Sequence, residues 1–366
     1  MLTVAFDTGP LHGPATGIAR ATSGLQQALE ADGSVRLAPY VLSFRAALAP
    51  NVRRLPLPAR PALELWSRLA RPRVDRRWSD VDLVHGTNYV VPPSRRPRVV
   101  SVYDCWALEN PDRVHADVRA AMRVLRRSID DGAFVHASSH ATATRLRDLF
   151  PGVDVTVVHL GDITPVTKHL DSPADVPVEL EAGAPFVLAL GTRERRKNLP
   201  LLIKAFAAVS SDHSDAHLVL AGGPGDDDPR IEAALSDLSQ MTRRRIHLVG
   251  RVSDSTASWL LDRAALLAYP SLDEGFGFPL LEAMGHRTPI VAAAVGSIPE
   301  VAGDAALLVD VHDADSWSSA LSRVLDDVSL ADELRDRGTE RRRQFSWDRT
   351  AREMIDLYRR VVGLGS

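Results

Sequence analysis

Short apolar runs recur along this chain, and each is followed by a longer stretch with helical spacing. The first set lies at 2–6, 81–86, 98–104, 132–138 and 155–161, with helical patterns between, as at 115–130 and 140–149. A second set lies at 185–191, 216–223, 245–252, 264–271, 288–294 and 304–310. Strands alternating with helices predict a parallel, doubly wound sheet, because parallel strands need long crossovers and those crossovers cover both faces. Two such sets predict two α/β domains, and 366 residues exceed what one hydrophobic core holds. The predicted domains are 1–162 and 163–345. Between the two sets, 162–185 carries four prolines and no period, and reads as a linker. A final helix at 347–362, within 346–366, has apolar residues at helical spacing and could dock anywhere, including back on the first domain.

Charge and cysteine content narrow the class. Residues 1–162 hold 21 basic and 16 acidic residues, a net of +5; the remainder holds 44 − 21 = 23 basic and 47 − 16 = 31 acidic, a net of −8. The single cysteine, Cys105, can form no internal disulfide, which fits a reducing compartment. The start, MLTVAFDTGP, lacks the basic region of a signal peptide, and no apolar run is long enough to span a bilayer. A cytoplasmic protein is expected.

Open α/β sheets bind ligands at the carboxyl ends of their strands, so the loops there are the places to look. The loop after the first strand, DTGPLHGPATGIAR, holds Gly9, Gly13 and Gly17 ahead of a helix, where glycine admits close backbone approach and the helix start favours anions. Its spacing is not that of a dinucleotide fingerprint, and a plain strand–helix turn accounts for it equally well. GTRERRKN, 191–198, gathers Arg193, Arg195, Arg196 and Lys197 where the second domain's first strand ends. Four cations at a sheet mouth make sense facing phosphate; a solvated turn is the plainer account. PGDDDPR, 224–230, contains a D-x-D, but Asp228 as the cap of a helix starting at Pro229 is simpler than a metal site. No histidine pair has a zinc-ligand helix spacing with an acidic third member, and no nucleophile turn occurs.

The most informative loop is YPSLDEGFGFPLLEAM. Pro279 marks a helix start, and the amides of Gly275, Phe276, Gly277 and Phe278 would lie at that positive end, suited to a phosphate or sugar oxygen. Glu274 stands before the helix and Glu282 one turn into it, on the ligand side if Leu280 and Leu281 face the core. Two carboxylates so placed can each accept a pair of hydroxyls from different parts of one extended ligand, a sugar at one end and a ribose at the other. The bland account is a cap and a surface charge. AAAVGSIPEV repeats the geometry, with Gly296 and Ser297 ahead of another helix and further amides turned the same way.

These motifs resemble the retaining glycosyltransferases of the GT-B fold, family four, the glycosyl transferases group 1. E-GFGFPLL-E matches their E-x7-E signature, GTRERRKNLPLLIKAF their phosphate segment, and VGSIPEVAGDAALLVD continues in register. GPLHGPATGIAR and DLVHGTNYVVP resemble segments of the first domain. The resemblance implies two Rossmann-like domains around a cleft, the second holding a nucleotide-diphospho-sugar. It implies that Glu274 binds hydroxyls of the transferred sugar, Glu282 the ribose, Arg196 and Lys197 the diphosphate, and the backbone around Arg251 and Val252 the base. Transfer would retain configuration, need no metal or other cofactor, and use UDP-, GDP- or dTDP-linked sugar as a co-substrate. The acceptor would be a glycan, a lipid-linked sugar or a small molecule of the cell envelope. An isomerase or hydrolase of sugar nucleotides, or a non-catalytic binding subunit, is the alternative.

Two positions depart from the family pattern. Thr192 stands where many relatives have arginine, so either Arg193, Arg195 or Arg196 substitutes or the diphosphate rests on Lys197 and helix amides. Tyr103 stands where relatives have histidine, beside Asp104, and a tyrosine cannot act as a base near neutral pH. Tyr103 and Gly17 remain substrate-binding candidates and Asp104 a catalytic one. Finally, 45–77 carries nine arginines against Glu64 and Asp75. Such a segment attracts an anionic membrane surface, or simply solvates a loop; without interleaved aromatics in an acidic chain, nucleic acid is not expected.

Overall fold

The computed structural model describes residues 1–13, 16–43, 46–55, 57–75, 78–162 and 176–363. Most of the predicted linker, 163–175, lies outside them, as do Arg45, Arg76 and Arg77 of the basic stretch. The chain divides into two compact units: Met1–Gly161 with Phe345–Ser366, and Asp162–Gln344.

The first unit is a seven-stranded parallel sheet: β1 (Leu2–Asp7), β2 (Val35–Val41), β3 (Arg53–Arg54), β4 (Leu83–Gly86), β5 (Arg98–Val102), β6 (Phe134–Ala137) and β7 (Val155–Val157), in the order β3-β2-β1-β4-β5-β6-β7. β2 and β3 have no counterpart in the sequence reading. Pro39 sits within β2, and proline, with no amide hydrogen to donate, ordinarily argues against an inner strand. Here β3 pairs only beyond it, at Tyr40 and Val41. The helix Gly17–Asp32 covers one face through Leu25, Ala28 and Leu29.

The last helix, Trp347–Val361, packs on Gly17–Asp32 and puts Met354, Ile355, Leu357 and Tyr358 into the same core as Val4, Phe6 and Leu83. Each such side chain, fully withdrawn from water, contributes roughly 1.5–3 kcal/mol. Tyr358 also ends a buried hydrogen-bond chain across the sheet. His136 Nε2 lies 2.9 Å from the Val158 carbonyl, so it carries the proton and Nδ1 accepts. Ser101 therefore donates to His136 Nδ1 over 2.8 Å, His85 Nε2 donates to Ser101 over 2.8 Å, and Tyr358 donates to His85 Nδ1 over 2.7 Å. Burial pulls both imidazoles well below their ordinary range, His136 to about 4, which keeps them neutral and the chain intact at physiological pH.

The second unit is a six-stranded parallel sheet: β8 (Phe186–Leu190), β9 (His217–Ala221), β10 (Ile246–Gly250), β11 (Leu266–Tyr269), β12 (Ile290–Ala293) and β13 (Leu307–Val309), in the order β10-β9-β8-β11-β12-β13. Leu188, Leu202, Phe206, Leu220, Leu267, Leu281, Val291 and Trp317 are fully or almost fully buried. Strand order reverses between β8 and β11 here, and between β1 and β4 in the first unit. Those are the switch points where loops diverge and ligands of doubly wound sheets bind.

Candidate functional site

Two loops flank the switch point of the second sheet. The one after β8 forms a short 3-10 turn, Arg195–Lys197, ending at Asn198 in the left-handed region (φ 52°). Asn198 Nδ2 donates to the Val311 carbonyl over 3.1 Å, and this fixes the start of the helix Leu199–Val209. The loop after β11 carries Asp273 and Glu274 and turns at Gly277 (φ 100°) into the helix Phe278–Gly285. The helix start is thus one residue earlier than Pro279. Leu280 and Leu281 are both fully buried, so the condition for Glu282 to face outward holds, and Glu282 is half-buried. Phe276 is buried and meets the half-buried Phe278 edge-to-face at 5.4 Å, packing the turn.

The loops meet at Glu274. Its Oε1 accepts from Lys197 Nζ at 2.6 Å and its Oε2 from Arg196 Nη1 at 2.7 Å. Only 7% of Glu274 is exposed. Arg196 also donates to the Asp273 carbonyl over 3.0 Å, and its guanidinium lies 3.8 Å from Glu194. Lys197 lies over the Tyr269 ring, 4.9 Å from its centre. Burial alone would push the Glu274 carboxyl up, but the two cations more than reverse this and hold it at about 2. Lys197 is pulled down by its own burial and by Arg196, against the pull of Glu274. Burial and pairing oppose each other for the lysine, and burial outweighs the pairing. Two cations share one buried anion, with Glu194 at 3.8 Å from Arg196 as a second, more exposed carboxylate at the edge of the knot.

Among the arginines of this loop, only Arg196 joins the knot. Arg193 is held by Asp228 at 2.6 Å, and the Arg195 amide donates to Asp226 over 2.9 Å. The Arg193–Asp228 pair leaves Arg196 as the arginine of this loop that reaches Glu274. It also corrects the expectation for Asp228. The cap of that helix is Asp227, and the Asp228 carboxylate serves Arg193 instead. A second correction concerns Ser297. Both its amide (3.1 Å) and its hydroxyl (3.0 Å) donate to the Glu274 carbonyl, so this turn holds Glu274 in place. Val252 is half-buried in the turn after β10, next to the exposed Arg251.

The remaining sequence candidates belong to the first unit. Gly17 opens its helix after the Thr16 cap and is exposed. Tyr103 is buried, with its ring edge-on to Tyr89 at 6.2 Å, and burial drives its hydroxyl further from ionisation, above an already basic value. It cannot serve as a base. Asp104 accepts from the Trp106 amide over 3.0 Å, and its own amide donates to the Tyr89 hydroxyl over 3.0 Å. No candidate list named Asp7, the last residue of β1. A lone aspartate after a strand is common, and only the strand order reveals that this one stands at a switch point.

Two doubly wound parallel units, the second with a cation–carboxylate knot at its switch point, have the architecture of the GT-B fold. Residues 174–341 match the family model described as glycosyl transferases group 1. It is 28% identical to the O-antigen chain mannosyltransferase B of Escherichia coli, over 98% of this chain and all of the relative. It is 34% identical to the D-inositol 3-phosphate glycosyltransferase of a Nocardioides strain over 60% of this chain, which spans about half of that relative (50%). The fold is shared with Anabaena HepE, solved in complex with UDP, at a TM-score of 0.70 and 16% identity over 98% of this chain and 99% of that one. Among the described residues, no helix is long and apolar enough to cross a membrane.

Proposed function

We propose that the protein moves a sugar from a nucleotide-diphospho-sugar to a hydroxyl of an envelope glycan, lipid-linked sugar or small molecule, with retention and without a metal. The observation that carries this reading is the convergence of Arg196 and Lys197 on Glu274 at the switch point of the second sheet. The acceptor oxygen attacks the anomeric carbon as the bond to the diphosphate oxygen breaks. The acceptor's proton passes to the leaving phosphate, and Arg196 and Lys197 balance its charge, the part a divalent cation plays elsewhere. Glu274, released from the cations as the diphosphate takes its place, accepts hydroxyls of the transferred sugar. Glu282 takes the ribose, and the backbone at Val252 the base. The mannosyltransferase relative supports an envelope polysaccharide as the product.

The test is calorimetric titration with UDP, GDP, dTDP and ADP, first in chelator and then with magnesium. One diphosphate should bind in chelator, with little change on adding metal. Folded protein that binds none of the four, or binds only with magnesium, would sink this reading.

The basic stretch supports a membrane-facing role for the first unit. On the helix Ala59–Leu69, Leu65 and Leu69 are exposed beside Arg60 and Arg68. The arginines are less bare than the sequence suggested, since Arg53 pairs with Asp80, Arg60 with Asp117 and Arg68 with Glu64. Co-sedimentation with phosphatidylglycerol vesicles, weakening by about tenfold on Leu69→Glu, is expected from lost apolar insertion and added repulsion. Equal sedimentation of both proteins would remove the membrane from the account.

A further inference from the structure

The two sheets share one strand order near their switch points, and the first carries a carboxylate at the end of β1, the strand that corresponds to β8. Asp7 ends β1, between β2 and β4. Its backbone is gripped from both sides: Thr87 donates its hydroxyl to the Asp7 carbonyl at 2.8 Å, and Thr8 bonds the Tyr40 carbonyl through amide (2.8 Å) and hydroxyl (3.0 Å). Its Oδ1 accepts from the Gly9 amide at 2.8 Å. Among the described residues, Oδ2 has no hydrogen-bond or ion-pair partner.

The groups that face this carboxylate are Tyr40 from β2 and Tyr103 from the turn after β5, both neutral. Among the described residues, no cation pairs with it. Burial raises its pKa to about 7, with the Gly9 amide opposing. A turn alone does not call for such a group, because asparagine would accept from Gly9 equally well without a buried charge. What a fixed carboxylate without a counter-ion offers is a strong acceptor for a neutral hydroxyl; it repels phosphate and carboxylate ligands.

We propose that Asp7 is the acceptor-contacting residue of the first unit, accepting the hydrogen bond of a neutral sugar hydroxyl through the oxygen that Gly9 leaves open. This rests on the transferase reading above. It adds to that reading a named residue and a ligand class, an uncharged sugar.

Asp7→Asn keeps the size and the Gly9 bond and removes the charge. The probe is methyl α-D-mannopyranoside, titrated against both proteins by ligand-observed NMR between pH 6 and 8. Wild-type affinity should rise across that range as Asp7 ionises. The variant should show no such rise and bind about tenfold more weakly at pH 8, the loss of one hydrogen bond to a charged acceptor. Equal binding by the two proteins, or none by the wild type, overturns the proposal. Melting gives the fold check. The native carboxyl binds its proton more tightly than the unfolded one, so wild-type stability falls relative to the variant as pH rises from about 4 to about 7, and the gap then stays constant. Nucleoside diphosphate binding, read in the second unit, should be the same in both. Its absence from both would sink the transferase reading without touching the glycoside result.

Discussion

Replacing Glu274 by glutamine is expected to lower the melting temperature of the second unit and, at the same time, to tighten its binding of a nucleoside diphosphate. Both follow from one geometry. The carboxylate is buried and balances Arg196 at 2.7 Å and Lys197 at 2.6 Å. Removing one member of a buried ion cluster strands the others, at about 3–5 kcal/mol in general. Arg196 and Lys197 keep 19% and 13% of their side-chain surface exposed, so the low end applies. About 3 kcal/mol corresponds to roughly 6–12 °C for a unit of this size. The stranded cations then meet a diphosphate without first giving up an internal anion, and an affinity gain of about tenfold is expected from the charge-assisted bonds released. Transfer should nonetheless fall by about a hundredfold or more if Glu274 holds the sugar at the reacting centre. Differential scanning fluorimetry with and without the diphosphate reads the first two effects together. An unchanged melting temperature with unchanged affinity would show that the knot is not what holds the site. The pH dependence has a definite sign. The native carboxyl lies below its unfolded value of 4.5, at about 2, so its contribution is complete above about 4.5 and is lost as pH falls toward 2. The glutamine variant should lack that acid limb.

Gly222→Ala should abolish diphosphate binding from outside the knot. Gly222 follows β9, and a Cβ there would stand 1.7 Å from the Gly191 carbonyl oxygen and 2.4 Å from its carbon. Both are backbone atoms of the loop that leads to Arg196, and they cannot turn aside as a side chain would. That loop is pinned to β9 and its exit by the Gly191 amide on the Ala221 carbonyl (2.9 Å) and the Arg193 amide on the Gly223 carbonyl (3.0 Å). The methyl group must break this pinning, which costs about 2–3 kcal/mol as overpacking and carries Arg196 and Lys197 out of register with Glu274. Gly13→Ala is the control, since nothing lies within 4 Å of a Cβ there. Its melting temperature and diphosphate affinity should match the wild type. Calorimetry of Gly222→Ala with normal diphosphate affinity would show that the loop tolerates the shift.

Much of the architecture was legible because it is local. Strands β1 and β4 to β13 announce themselves as apolar runs, and Pro279 and the Gly277 turn mark the helix beside Glu274. Leu280 and Leu281 face the core as their apolar character indicates, and Glu282 beside them is half-buried. What escaped was set by partners far along the chain. Glu274 meets Lys197 across 77 residues, and no spacing rule distinguishes a carboxylate waiting for a sugar from one paired with the cations that would hold its phosphates. Asp228 looked like a cap because its local neighbours are those of a cap, but Arg193, 35 residues earlier, claims it. β2 was hidden by Pro39, whose missing donor is tolerated because β3 is too short to need it. Asp7 and the His85–Ser101–His136 chain are defined by strand order, which periodicity does not encode.

The first unit is closed by a helix that arrives last. Residues 1–161 lack Met354, Ile355, Leu357 and Tyr358 from their core until Trp347–Val361 is made, and all of Asp162–Gln344 is made in between. On a ribosome adding about 5–20 residues per second, that interval is on the order of ten to forty seconds. The contiguous second unit has its whole sequence available earlier, so assembly runs against the direction of synthesis. Throughout that wait, β1 and the helix Gly17–Asp32 present an uncovered apolar seam. That seam is transiently exposed apolar surface of the kind that makes a nascent chain prone to aggregate, and it is imposed by the order of the segments alone.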